Sequence, residues 1–168
     1  MNKHLFIVRH AQAVSGAAGQ RDFDRELSSS GVIEACKMGG HLKKLGVSPD
    51  LLFASPAIRA LSTAQYMAEQ LGYDTEKIIV ENALYEEYAL QSFIEMISAI
   101  PEDKKSAMVV AHNPKQTYLA EYLTHDDIGS IPTGGVVHVI FENQRWVEIT
   151  GGSGKMAWFE YPEKLNSL

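Results

Sequence analysis

The sequence predicts an α/β fold: a three-layer sandwich with a mostly parallel central sheet, helices on both faces and an antiparallel hairpin at the C-terminal edge. Short apolar runs alternate four times with segments of helical periodicity, which is typical of a parallel sheet covered on both faces. Near the C-terminus, two apolar stretches instead flank a polar turn, which favours antiparallel pairing. No internal repeat or linker is visible, so residues 1–168 are expected to form a single domain.

The first half of the chain is expected to contain two strand–helix units. The continuous apolar run Leu5–Val8 predicts a buried strand, and Ser55-Pro56 predicts a helix start, with serine as the cap and proline in the first turn. A stretch rich in Gly, Ala, Asp and Ser predicts a long loop, and loops of that length are usually functional. The predicted elements are a strand at Leu5–Val8, a loop over 11–30, a helix from Ser30 to Gly46, a strand at Asp50–Ala54 and a helix from Ser55 to Gly72.

The second half is expected to repeat the pattern and then change character. Asn113-Pro114 has the same cap-plus-proline arrangement as Ser55-Pro56. The predicted elements are a strand at Ile78–Val80, a helix at Ser92–Ile100, a strand at Ala107–Ala111, a helix ending at Leu123, and a hairpin of Val136–Phe141 with Trp146–Thr150. Met156–Tyr161 offers one more strand.

Composition and charge exclude several functional classes. The formal net charge is −6 and the pI is near 5.5, which disfavours nonspecific binding to nucleic acid or anionic membranes. The single Cys36 forms neither an internal disulfide nor a multi-cysteine metal site, so a reducing, cytoplasmic environment is expected. The apolar run Leu5–Val8 is too short for a signal peptide or a membrane span. We expect a monomer with no metal and no organic cofactor.

Four cationic or imidazole side chains are expected to converge at one edge of the sheet. Arg9 and His10 follow the first strand, His112 follows a later strand, and Arg59 lies in the first turn of the second helix. In open α/β sheets, the carboxyl ends of the strands form the binding crevice. Guanidinium groups donate in pairs to phosphate oxygens, and a neutral imidazole can attack phosphorus. This set therefore predicts a site for a phosphate-like anion with an imidazole at its centre.

The motifs around these residues resemble, in order, those of the histidine phosphatase superfamily, and most closely its small SixA-like branch. The matching segments are Val8-Arg9-His10-Ala11, Arg25-Glu26-Leu27-Ser28 followed by Gly31, Ser55-Pro56-Ala57-Ile58-Arg59-Ala60-Leu61-Ser62-Thr63-Ala64, and Val109-Val110-Ala111-His112-Asn113-Pro114. With the segment around Thr133, the resemblance runs from residue 5 to about residue 140. Little room remains for the lid of the larger members, which implies an open site able to admit a protein side chain.

The resemblance implies a role for each residue of the site. His10 is implied as the nucleophile, with Arg9, Arg59 and His112 as the phosphate clamp. Arg25 is implied as a further phosphate contact, although Glu26 stands beside it where the family pattern has proline.

The proton donor is the least defined role. Many phosphatases of the superfamily use an acidic residue near a Leu-x-Glu segment, which corresponds here to Leu84-Tyr85-Glu86, with Glu87 adjacent. Either carboxyl would serve if its pKa were raised. A phosphohistidine substrate needs this help less, because imidazole is a good leaving group.

Three functions stay open at this point. The first is a metal-independent phosphatase acting on phosphohistidine in a protein, such as a phosphotransfer domain of a signalling or sugar-uptake relay. The second is a phosphomonoesterase for a small phosphorylated metabolite, which a working Glu86 or Glu87 would favour. The third is a noncatalytic module that binds phosphorylated proteins, although a pure reader of phosphate needs no nucleophile. All three require a phosphate ion to fit the site.

Overall fold

The chain folds around one mixed sheet. The computed structural model describes residues 1–86 and 89–166. Its strands are β1 (Lys3–Arg9), β2 (Leu51–Ala54), β3 (Ile79–Val80), β4 (Ser106–Ala111), β5 (Val136–Phe141) and β6 (Lys155–Glu160). Its α-helices are α1 (Ser29–Lys44), α2 (Ile58–Leu71), α3 (Leu90–Ser98), α4 (Lys115–Thr124) and α5 (Pro162–Asn166). No helix in the described ranges is both long and apolar enough to cross a lipid bilayer.

The strand order confirms the predicted fold class. The sheet runs β3-β2-β4-β1-β5-β6. Strands β3, β2, β4 and β1 are parallel to one another. Strand β5 pairs antiparallel with β1, and β6 pairs antiparallel with β5. The crossover helices α1 to α4 follow the four parallel strands, as the alternating pattern predicts.

Each face of the sheet carries its own apolar core, because successive side chains of a strand point to opposite faces. Along β1, Leu5 and Ile7 belong to the cluster under α3 and α4, and Phe6 and Val8 belong to the cluster under α1 and α2. Every residue of β4 is buried, as expected for a central strand covered by two helical layers. Packing on both faces fixes the strands and therefore the positions of the residues at their ends.

The predicted hairpin partner of β5 is wrong. Trp146–Glu148 forms a 3₁₀ turn, and the strand that pairs with β5 is β6, which covers most of the additional strand predicted at Met156–Tyr161. Trp146 and Ile149 are buried while Val147 is 54% exposed, so apolar residues recur every third residue and do not alternate. The indole N–H of Trp146 donates to the Lys104 carbonyl at 2.8 Å, which anchors the turn in the core.

The two helix starts that are predicted from a cap residue followed by proline lie too early in the chain. Helix α2 begins at Ile58, so Ser55 and Pro56 form the turn before the helix and do not cap it. Helix α4 begins at Lys115, while the side chain of Asn113 still accepts a hydrogen bond from the backbone N–H of Thr117 at 3.2 Å. Proline fits a turn as well as a first helical position, because its φ suits both.

Candidate active site

The site lies at the carboxyl ends of β1, β2 and β4, where the parallel arrangement brings distant parts of the chain together. His10 follows β1, Ser55 follows β2 and His112 follows β4. The ring centroids of His10 and His112 are 5.2 Å apart. The predicted convergence of the two histidines is therefore present in the structure.

His10 is held as a neutral imidazole with one defined nitrogen free to react. Its Nδ1–H donates to the carbonyl of Ala11 at 2.7 Å, and the residue is only 9% exposed. Burial lowers the pKa of His10 to about 4, and the charges of Arg59, Arg9 and Arg25 act in the same direction against the opposing bond to Ala11. The ring is therefore neutral at ordinary pH, and its Nε2 carries the lone pair.

The backbone around His10 is fixed by two residues from elsewhere in the chain. The hydroxyl of Thr63, on α2, accepts a hydrogen bond from the amide of Ala11 at 3.0 Å and donates to the carbonyl of Arg59 at 2.8 Å. The amide of Gly134 donates to the carbonyls of Arg9 and His10 at 3.1 and 3.0 Å. Thr63 thus connects the loop that follows His10 to helix α2, which carries Arg59.

His112 is oriented by Ser55. The Ser55 hydroxyl oxygen accepts a hydrogen bond from the amide of Ala57 at 3.2 Å and lies 2.8 Å from His112 Nε2, and we assign the tautomer in which the hydroxyl donates to Nε2. The proton of the imidazole then resides on Nδ1, which is buried and has no partner among the described residues. Burial lowers the pKa of His112 to about 3, and neighbouring His10 adds to the effect. His112 therefore offers an unused N–H donor beside His10.

Three arginines surround the two histidines. The Arg9 guanidinium donates to the carbonyl of Ile131 at 2.9 Å, and its Nε is buried without a partner within the described residues. Arg59 is 7% exposed, and its two terminal nitrogens donate to the carbonyl and the carboxylate of Asp22 at 2.8 and 2.9 Å. Arg25 donates to the same carboxylate at 2.9 Å. All three cations act electrostatically on His10, and the Asp22 carboxylate offsets part of the charge of Arg25 and Arg59.

Comparison with known proteins agrees with this geometry. Residues 5–118 match the profile of the histidine phosphatase superfamily (branch 1), which is more than half of the chain. The chain belongs to the histidine phosphatase superfamily. The matched range includes all of the arginines and histidines described above, and it confirms the predicted superfamily.

The superfamily includes solved structures with the same fold. Protein histidine phosphatase SixA complexed with tungstate has 24% sequence identity and a TM-score of 0.83, and the similarity covers 96% of this chain and 99% of that chain. SixA from Agrobacterium tumefaciens has 26% identity and a TM-score of 0.80, with 95% and 98% covered. The expected similarity to the SixA-like branch is thereby confirmed.

One relative that matches about half of this chain is a much longer protein. Serine/threonine-protein phosphatase Pgam5, mitochondrial, from Drosophila ananassae is 31% identical over 83 residues, which are 49% of this chain and 27% of that protein. The chain thus spans about a quarter of the length of that phosphatase.

The segment Leu84-Tyr85-Glu86, which is predicted to supply a proton donor, contacts the site through Tyr85. The ring of Tyr85 lies edge-on to His112 with centroids 5.7 Å apart, and its hydroxyl donates to Asp22 at 3.0 Å. The carboxylate of Glu86 is exposed and forms no hydrogen bond or ion pair within residues 1–86 and 89–166. Glu87 lies outside the described residues. The structure thus brings Tyr85, and not Glu86, against the site histidines.

Sequence reasoning missed four residues that contact the site, namely Ser55, Thr63, Asp22 and Tyr85. Ser55 and Thr63 lie in the motif around Arg59, but the motif was interpreted as a helix start and an arginine position only. Asp22 precedes Arg25 by three residues in the long loop, a spacing that allows an ion pair within one turn. A search for acidic partners of each proposed phosphate-binding arginine would have identified Asp22.

The donor set suits an anion. The unpartnered buried nitrogens of Arg9 and His112 are N–H donors in the arrangement above. Among the residues that the structure describes, no group of three or more His, Cys, Asp or Glu is placed to hold a metal ion. A tetrahedral oxyanion fits these donors because each of its oxygens accepts hydrogen bonds.

Proposed function

We propose that this chain is a metal-independent phosphatase that carries the transferred phosphoryl group on Nε2 of His10, and that its substrate is phosphohistidine in a protein. The observation that carries the proposal is the state of His10: buried, neutral, with Nδ1 bonded to Ala11 and Nε2 free beside three arginines. A nucleophile with a free lone pair at ordinary pH needs no separate base.

The reaction proceeds in two displacements. The lone pair of His10 Nε2 forms a bond to phosphorus while the bond from phosphorus to the substrate's imidazole nitrogen breaks, and that imidazole, protonated on its other nitrogen, leaves with the electron pair as a neutral ring. Water then attacks the phosphohistidine, the bond from phosphorus to Nε2 breaks and returns its electron pair to Nε2, and hydrogen phosphate forms as the water releases one proton to solvent. The Nδ1–H bond to Ala11 stabilises the positive charge that His10 carries in the intermediate.

Arg9, Arg59 and His112 act on the phosphoryl oxygens in this proposal, with Arg25 as a further contact. Fixed donors stabilise the charge of the transition state without reorganising during the reaction. The lack of a partner for Arg9 Nε and His112 Nδ1 among the described residues supports this assignment, because both nitrogens keep hydrogen-bonding capacity that these residues do not use.

The carboxylates near the site favour phosphohistidine over an alkyl phosphate. Asp22 is the carboxylate in contact with the site arginines. Burial by itself raises its pKa, but hydrogen bonds from Arg25, Arg59 and Tyr85 outweigh that effect and lower the pKa to about 2. An ionised carboxylate cannot protonate an alkoxide, whereas an imidazole leaves without that help. The structural similarity to SixA phosphatases, one of them with bound tungstate, supports the same substrate class.

A second candidate is a phosphomonoesterase. The contact of Tyr85 with His112 brings the Leu84-Tyr85-Glu86 segment to the site, so Glu86 directly follows a residue that contacts a site histidine. The Drosophila relative named as a serine/threonine-protein phosphatase is consistent with ester substrates. Cytoplasmic location and a monomeric state stay predictions from composition.

Substrate competition separates these functions. We would measure kcat/KM, in buffer containing EDTA, on a protein phosphorylated on histidine, on a phosphoserine peptide and on p-nitrophenyl phosphate. The proposal expects the phosphohistidine protein to be preferred, and His10→Ala to be inactive on all three. The matched control is His125→Asn, at an exposed left-handed position (φ 60°) that asparagine accepts. Preference for either ester would support the phosphomonoesterase, and phosphate binding without turnover would support the noncatalytic module.

A further inference from the structure

The phosphate-binding arginines already hold an anion of the protein's own. We propose that Asp22 is a resident carboxylate that competes with phosphate for Arg25 and Arg59 and so weakens the binding of free phosphate, the reaction product. This inference rests on the proposed function, because it assumes that the two arginines bind the phosphoryl group.

Both oxygens of the Asp22 carboxylate are taken by these arginines. Oδ1 accepts from Arg25 at 2.9 Å and Oδ2 accepts from Arg59 at 2.9 Å. Arg59 also donates to the Asp22 backbone carbonyl at 2.8 Å, so both terminal nitrogens of its guanidinium face this residue. A phosphate that takes a two-pronged grip on Arg59 must therefore displace the carboxylate or share the guanidinium with it.

The carboxylate is held in place by an aromatic contact as well as by charge. The Tyr85 hydroxyl donates to Oδ2 at 3.0 Å, and the Tyr85 ring packs edge-on against Phe23, the next residue of the same 3₁₀ turn, with centroids 5.0 Å apart. The turn Asp22–Asp24 thus presents Asp22 to the two arginines, while Phe23 and Tyr85 pack against each other beside it. Asp22 competes as a tethered group at high local concentration.

Electrostatics give the direction of the effect in either binding mode. If phosphate displaces Asp22, it must break three side-chain hydrogen bonds of the carboxylate. If phosphate binds beside Asp22, it sits near a like charge, which is unfavourable. Removing the charge should tighten phosphate binding in both cases. Because the Asp22 side chain is 51% exposed, solvent screens the effect, and we expect a change of about five- to tenfold.

A carboxylate that competes for these arginines favours the release of inorganic phosphate, the reaction product. Inorganic phosphate and the phosphoryl group of the substrate present similar oxygens to the arginines, so a competing carboxylate weakens the binding of both. The phosphorylated protein also has contacts through its surface, which inorganic phosphate lacks. Asp22 therefore favours release of free phosphate, while the other contacts of a phosphorylated protein offset the same loss of affinity.

The test is a titration calorimetry measurement of inorganic phosphate binding to the full chain and three variants. Asp22→Asn keeps the shape of the side chain and removes its charge, and Tyr85→Phe removes only the hydroxyl that donates to Asp22. The matched control is Asp24→Asn, because Asp24 lies in the same turn but pairs with Arg21 at 2.9 Å and, within the described residues, forms an ion pair with neither Arg25 nor Arg59.

We expect Asp22→Asn to lower the Kd of phosphate about five- to tenfold, with a smaller decrease for Tyr85→Phe and no change for Asp24→Asn. The gap between wild type and Asp22→Asn should shrink as salt is added, because screening weakens the competition. An unchanged or weaker affinity in Asp22→Asn would overturn the inference and make Asp22 a positioning residue for the arginines. If no protein in the series binds phosphate, the anion site itself, and with it the proposed function, is wrong.

Discussion

Thr63 offers a direct test of how the fold supports the nucleophile. We predict that Thr63→Val destabilises the protein by roughly 3–4 kcal/mol, since it removes two hydrogen bonds worth about 1 kcal/mol each and leaves the buried amide of Ala11 without its acceptor at a further cost of about 1–2 kcal/mol. Thr63 is fully buried, so water cannot replace the lost hydroxyl. Activity should fall as well, because Ala11 also accepts the Nδ1–H bond that orients His10.

The measurement is urea unfolding of Thr63→Val beside Thr63→Ser. Serine keeps the hydroxyl and loses one buried methyl, which costs about 1 kcal/mol. The valine variant should be the less stable of the two, and its kcat on a phosphohistidine protein should fall further than that of the serine variant. Equal stability and equal kcat in the two variants would refute the reasoning, since the hydroxyl would then contribute nothing.

Three further predictions follow from the site. Ser55→Ala should lower kcat/KM roughly tenfold, because it removes the hydrogen bond of about 1.4 kcal/mol that keeps the proton of His112 on Nδ1. An unchanged kcat/KM in steady-state kinetics would contradict this role of Ser55. Glu86→Gln should change turnover of a phosphohistidine protein less than twofold, and a tenfold loss would establish a proton donor there. Burial is the main cause that lowers the pKa values of His10, His112 and His138 to about 4, 3 and 4. As the pH falls below about 6.5, these histidines bind protons in the unfolded chain but stay neutral in the folded chain. The free energy of unfolding should therefore fall from pH 6.5 toward 4 by up to roughly 1 kcal/mol per pH unit for the most buried of these groups, and urea titrations that show no change between pH 7 and 5 would contradict this.

The parts of the fold that the sequence predicts well are those with strong local signals. The run Leu5–Val8 is apolar at every position because β1 is covered on both faces, and the same is true of β4. The convergence of His10 and His112 follows from this, since the carboxyl ends of adjacent parallel strands must lie at one edge.

The parts that the sequence does not predict depend on contacts between distant residues. Nothing local to Trp146 says that its side chain fills the core under α3, so a short apolar run was interpreted as a strand. Pro56 fits a helix start and a turn equally well. The Ser55 hydroxyl forms a hydrogen bond with the His112 imidazole and does not cap the helix, and this depends on the position of His112, which is distant in the sequence. The partnership of Asp22 with Arg59 joins residues 37 positions apart, beyond any local pattern.

The role of the His10 side chain as carrier of the phosphoryl group is the central claim, and trapping the intermediate tests it most directly. A phosphohistidine protein labelled with radioactive phosphate would be mixed with the enzyme, quenched in alkali within milliseconds, and analysed by mass spectrometry of the peptides. The account predicts alkali-stable, acid-labile phosphate on His10, appearing before free phosphate and absent from His10→Ala. Turnover with no label on His10, or label that persists in His10→Ala, would contradict it.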